Sequence, residues 1–227
     1  MRVPLAFPLA VLGAIFAGGC ATAGRRSNLP ASARTVQRPQ AEFVPGNYTA
    51  DPALPAGLRR VVLLPVHGGE FAPPEAVESL DPVMATELER QLRFEVVTFP
   101  REECLKLYGV PDLSSAAALP PDFLATLERK YGAQGVMFVD ITSYQPYRPL
   151  TLGLRAKLAL IADHRLAWSV DEVFSTNDPA AVLALRRYYQ HNELGNLPFD
   201  LTPDDLQSPT RFAAFAADMA FRTLPPR

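Results

Sequence analysis

Two thiols, Cys20 and Cys104, and three imidazoles, His67, His164 and His191, are the side chains of this sequence best suited to covalent, acid–base or metal chemistry at neutral pH. Spacing decides what they can do. The histidines show neither H-x-x-x-H nor H-E-x-x-H, so no metal pair is expected. His67-Gly68-Gly69 has the composition of an oxyanion loop, but no G-x-S-x-G nucleophile elbow accompanies it, and a glycine turn after a strand accounts for it. Asp163-His164 falls where a hairpin tip is expected and should face solvent. Cys104 follows Glu102-Glu103, two anions that disfavour a thiolate, so it is expected to pack in the core rather than react. No paired carboxylates and no triad order stand out. The expectation is no catalytic residue, no metal and no cofactor, with an exported hydrolase whose nucleophile escapes recognition as the alternative. Cys20 is different, because its surroundings give its thiol a purpose.

Met1-Arg2 supplies a positive start, residues 3–16 are apolar except for Pro4, Pro8 and Gly13, and Ala17-Gly18-Gly19 leads into Cys20. A charged start, a short apolar core and small residues at the end make a secretory signal peptide over residues 1–19. The run is shorter than the roughly 20 residues a spanning helix needs. A cysteine directly after the small residues resembles the lipobox of bacterial lipoproteins, although Ala17 stands where that family usually has leucine. The resemblance implies cleavage before Cys20, acylation of its thiol (palmitate included), and attachment to the membrane through lipid. Ala21 in place of aspartate implies an outer-membrane lipoprotein facing the periplasm. An ordinary secreted protein in which Cys20 is incidental is the alternative.

The 227 residues carry a net charge of −2, which leaves no electrostatic footprint for nucleic acid. With one cysteine left after Cys20, an exported fold must rest on its hydrophobic core rather than on disulfides. Residues 20–56 read as the lipidated cysteine and a disordered tether: Pro30, Pro39, Pro45, Pro52 and Pro55 interrupt it, and no apolar face is present to offset the entropy of ordering. Prolines stiffen such a segment into a spacer. Its basic residues, Arg25, Arg26, Arg34 and Arg38, outnumber Glu42 and Asp51. They could rest against anionic head groups or simply keep the linker soluble.

Residues 57–227 read as a single α/β domain. Residues 58–66 form an apolar, β-branched run of the kind buried on both faces. Pro73-Pro74 opens a helix, Pro82 marks a second start, and Val83, Met84, Leu88 and Leu92 make an inward stripe with Glu87, Glu89 and Arg90 outside. A strand over 94–99, a short helix over 101–107, a loop over 108–121 and a helix with Phe123, Leu124, Leu127 and Tyr131 follow, then a strand over 135–144. Residues 150–161 and 166–174 form a hairpin, with Leu152, Leu154, Ala156, Leu158 and Leu160 on one face and Arg155 and Lys157 on the other. Helices over 179–190 and 209–222 end the chain. Early strand–helix alternation with a late hairpin predicts a mixed sheet, antiparallel in part, with helices packed on its faces.

Three stretches carry a family resemblance: residues 60–66 (RVVLLPV), 131–141 (YGAQGVMFVDI) and 158–169 (LALIADHRLAWS). They resemble the periplasmic domain shared by the curli-secretion lipoprotein, the penicillin-binding-protein activator lipoprotein B and the amino-terminal domain of TolB. The turn lacks that group's usual Thr-Gly, and residues 108–120 form an untypical insertion. The resemblance implies a non-enzymatic part of the cell envelope, a secretion accessory or cell-wall-synthase activator, that binds an envelope protein partner. Tyr144, Tyr147, Arg148 and Trp168 are the candidate contacts, since Tyr, Trp and Arg are enriched at binding hot spots and Gln145-Pro-Tyr-Arg-Pro149 breaks a strand.

Overall fold

The computed structural model describes residues 43–192 and 208–227. Its elements, in chain order, are β1 (Tyr48–Ala50), β2 (Arg60–Leu63), α1 (Pro74–Arg90), β3 (Glu95–Thr98), α2 (Arg101–Tyr108), α3 (Phe123–Tyr131), β4 (Gly135–Gln145), β5 (Thr151–Leu160), β6 (Leu166–Ser175), α4 (Pro179–Asn192) and α5 (Pro209–Phe221). The strands make one sheet in the order β1-β6-β5-β4-β2-β3. β2 runs parallel to both β3 and β4, while β4, β5, β6 and β1 pair antiparallel. The mixed sheet with an antiparallel hairpin expected from the sequence is the sheet observed.

Side-chain alternation explains the layers. In β2, Val61 and Leu63 enter one core while Val62, with Leu64 just beyond, enters another. β4 divides in the same way, Met137 and Val139 against Val136 and Phe138. Both strands are therefore sandwiched, which is why they read as continuous apolar runs. α1, α4 and α5 build the larger core, and α2 and α3 the smaller, through Cys104, Phe123 and Leu127. β5 sends Leu152, Leu154, Ala156, Leu158 and Leu160 into the larger core only, with Arg155 and Lys157 half-exposed opposite. A register shift between Ile141 and Ser143 is fitted by Gly153: a Cβ there would lie 2.4 Å from Thr142 Oγ1 and 2.8 Å from the Ser143 nitrogen.

Four expectations need correction. The segment before residue 57 is not all tether. Tyr48–Ala50 pairs with β6, Glu172 accepts bonds from the N–H groups of Gly46 (2.7 Å) and Asn47 (3.2 Å), and Leu54 is buried, its N–H donating to the Pro226 carbonyl. This strand is held largely through backbone and polar groups, so no apolar periodicity announces it. Residues 1–42, Cys20 included, lie outside the described residues. Pro82 opens no second helix but sits inside α1. It forfeits one helical bond, roughly 3 kcal/mol, yet Val77, Leu80, Met84, Ala85 and Leu88 are buried on both sides of it and carry the helix through. Leu92 is no stripe residue: it lies past the helix end at φ +53° and is 84% exposed. Glu87, expected outside, is only 3% exposed.

Candidate functional site

The chain leaves β2 through α1 to reach β3 on one side, then returns through α2 and α3 to reach β4 on the other. This makes a topological switch, and open α/β sheets take ligands in the crevice outside the carboxyl ends of the strands at such a point. Polar side chains converge there. The backbone of His67 continues β2, its N–H donating to the Val139 carbonyl and its carbonyl accepting from Ile141. Its Nδ1 lies 2.6 Å from Asp112 Oδ1. Arg101, at the start of α2, donates to Asp81 Oδ2 (2.6 Å), Asp81 Oδ1 (2.9 Å), Asp112 Oδ2 (2.9 Å) and the Val66 carbonyl (2.7 Å). Asp140, 3% exposed in the middle of β4, accepts from the Ser115 N–H (3.0 Å) and hydroxyl (2.6 Å). Lys157 donates to the Ser115 carbonyl at 2.9 Å.

An aspartate beside a histidine is the orienting half of a general-base arrangement. Here the same atoms strap residues 112–115 across the crevice, so these groups are engaged with the chain itself. The loop that the sequence offered as an untypical insertion is thus a plug. Beneath it Cys104 is fully buried, and its thiol is pushed up to about 11 by burial and by the Asp112 carboxylate, with Arg101 opposing. That agrees with a packing role.

The candidate contact residues divide. Gln145 ends β4, and the following turn projects Tyr147, 80% exposed. Arg148 and Pro149 line a cleft of about 390 Å³ with Thr176, Asn177, Val182 and Leu185, between this turn and the first half of α4. Tyr144 is half-buried against the larger core, and burial, then Tyr147, raise its phenol pKa. Trp168 has to be withdrawn as a contact. It is 1% exposed, tilted against Phe221, and its indole N–H donates to the Thr223 hydroxyl at 2.9 Å. The strand alternation places it with Val170 on the helix-covered face, which is where a large ring gains most.

A polar cluster not expected from the sequence lies between α1, α4 and α5. Glu87 Oε1 accepts from the Tyr188 hydroxyl and from Arg90, each at 2.8 Å, while Oε2 is buried without a hydrogen-bond partner among the described residues. Asp218 accepts from Gln91 at 3.3 Å and pairs with Arg222 at 2.8 Å. The spacing 77, 80, 84, 87, 91 along α1 is the sign that was available, since it is the inward heptad of that helix. Burial raises both carboxyls above their ordinary values, against the pull of Tyr188 and Arg90 on Glu87 and of Arg222 and Gln91 on Asp218. A raised folded-state pKa means the unfolded chain ionises first as pH rises, so these groups withdraw stability above the ordinary carboxyl range. Glu87→Gln should therefore raise the melting temperature at pH 8, leave it unchanged near pH 3, and flatten the curve between. Thermal melts across that range check it.

These features define the class: a mixed α/β domain, parallel on one side of β4 and antiparallel on the other, with its switch-point crevice plugged. No protein-family model and no curated protein matches the chain. Solved structures to which it is similar include a PelC dodecamer from Paraburkholderia phytofirmans, with 15% identity over 60% of this chain and 86% of that one at a TM-score of 0.40. Lipoprotein GNA1162 from Neisseria meningitidis matches with 19% identity over 58% of this chain and 96% of that one, also at 0.40. The LpoB C-terminal domain from Salmonella enterica matches with 19% identity over 51% and 82%, at 0.31. The last belongs to the group that the sequence stretches resemble.

Proposed function

We propose that this chain is a lipid-anchored, non-enzymatic module of the cell envelope that works by binding another envelope protein, with Cys20 the acylated amino terminus and the outer membrane, on its periplasmic side, the place of attachment. The observation that carries the binding reading is the turn at 145–149: an exposed Tyr147 next to a cleft with an aliphatic wall, Val182 and Leu185, and a cationic rim, Arg148. A rigid aromatic beside an apolar recess is the composition of a binding hot spot. The plugged crevice supports the non-enzymatic half, because the groups able to do acid–base work are engaged in holding residues 112–115. The export signal and the small residues before Cys20 support the anchor.

A photo-reactive phenylalanine analogue at Tyr147 of the anchored chain, with the same analogue at Glu128 as control, tests the binding surface. The expected result is one envelope protein cross-linked from position 147 and not from 128, with the product lost on adding excess unlabelled wild type but not on adding excess Tyr147→Ala. Equal products from both positions, or turnover of an ester or peptide by the purified protein, would sink the reading. Fatty-acid labelling that persists unchanged in Cys20→Ser would remove the anchor.

A further inference from the structure

Among the described residues β3 is the last strand of the sheet, with β2 on one side and no strand on the other. In a parallel pair, the N–H and C=O of one residue point to the same neighbour, and alternate residues point to opposite neighbours. The N–H of Glu95 donates to the Arg59 carbonyl and that of Phe99 to the Leu63 carbonyl, so residues 95, 97 and 99 face β2. Val96 and Thr98 consequently present their backbone groups to the open side. Proteins usually blunt such an edge with an inward charge, a proline or a covering loop. Within β3 no proline occurs, and its single charge, Glu95, is bent back onto Arg60 at 2.9 Å.

At the carboxyl end of this edge lies a groove of about 490 Å³. Part of its lining is apolar, from Pro65, Pro82, Ala85 and Pro100. Its rim is acidic. Glu78 and Glu102 are exposed and have no ion-pair partner among the described residues. The groove's cation, Arg101, is spent on Asp81, Asp112 and the Val66 carbonyl and does not neutralise the rim.

We propose that the β3 edge and this groove together form a second docking site, for an extended segment of a partner protein that adds a strand beside β3 and carries an arginine or lysine into the acidic groove. Backbone bonds to Val96 and Thr98 supply the affinity and the basic side chain between Glu78 and Glu102 supplies the selection, the division of labour usual in strand addition. The inference rests on the reading of the chain as a protein-binding module, and it places a second surface on the opposite side of β4 from the Tyr147 turn.

The test uses the full chain purified in detergent and a fluorescein-labelled peptide, acetyl-SQTVRVTQS-amide. Three peptide forms are compared by fluorescence polarisation: the parent, the parent with glutamate in place of arginine, and the parent N-methylated at alternate amides. The parent should bind, the glutamate form should bind at least about tenfold more weakly, and the N-methylated form should not bind. Thr98→Pro removes an outward N–H, and Glu78→Arg with Glu102→Arg reverses the rim without touching the backbone. Each should abolish binding of the parent, with circular dichroism confirming the fold. Equal binding of the arginine and glutamate forms, or no binding at all, overturns the site. So does binding that survives the rim reversal. A dimer of the chain that excludes the peptide and dissociates in the rim variant makes the occupant a second copy and also overturns it. Cross-linking from Tyr147 reads out separately: if it persists while the peptide fails, the β3 site is wrong and the module reading stands.

Discussion

Trp168→Ala should cost about 3–5 kcal/mol of stability, the range for truncating a buried large aromatic, and so remove a large fraction of what holds a domain of this size. The ring is fully buried between the helix-covered face of β6 and α5, close to Phe221. Its Nε1–H is satisfied by Thr223, whose hydroxyl also donates to the Ala220 carbonyl at 2.6 Å, so the truncation leaves a void rather than a stranded acceptor. Trp168→Phe should recover most of the loss, because it keeps the ring contacts and gives up one neutral hydrogen bond worth about 1 kcal/mol. Urea unfolding of the three proteins checks this. If Trp168→Ala instead left the midpoint unchanged and weakened partner binding, the residue would be the surface contact its type suggested.

Arg101→Ala should rank second, at about 2–4 kcal/mol, by leaving two half-buried carboxylates, Asp81 and Asp112, without their common cation. Arg101→Lys should rescue little. Three of the guanidinium nitrogens serve two carboxylates and the Val66 carbonyl at once, a fork that a single ammonium does not reproduce. The loss should also be local before it is global. Asp112 carries the loop over the crevice, so amide exchange should quicken first at residues 112–115 in Arg101→Lys, with the β4–β5–β6 amides unchanged. Exchange that quickens equally throughout would mean that the ion pairs contribute only to the whole domain and do not strap the loop.

What the sequence disclosed followed how apolar each element is. β2, β4, β5 and β6 were legible because their alternation, or its absence, reports directly which faces are covered. α3 was legible from Phe123 and Leu127 and its glycine stop at Gly132. β1 was not, since Tyr48-Thr49-Ala50 is too short to show a period and its partner β6 is distant in sequence. Composition also misled at Trp168: an aromatic in a strand reads alike whether it is a hot spot or a core ring, and only the layer packed on that face decides. Glu87 failed for the opposite reason. Its charge reads as the sign of a solvent face, although its position in the α1 stripe points inward. The switch-point cluster could not be foreseen, because Asp112, Ser115, Asp140 and Lys157 meet only once a loop crosses the sheet end. The Tyr147 turn was legible as a break between strands, flanked by prolines.

The sheet also sets an order of events for a newly made chain. The β5–β6 hairpin closes a turn of a few residues, and β4–β5 is nearly as local. β2 must wait for β4, because Val61 sits opposite Gly135. β1 must wait longest, because Tyr48 sits opposite Val170. Ring closure grows more costly with the length enclosed, and non-local pairings slow the search for the native state. The hairpin meander is therefore the template, the parallel strands join it afterwards, and β1, synthesised before every other described strand, is among the last to find its place. A chaperone acting on this chain would meet a formed antiparallel meander with β1 still waiting for its partner.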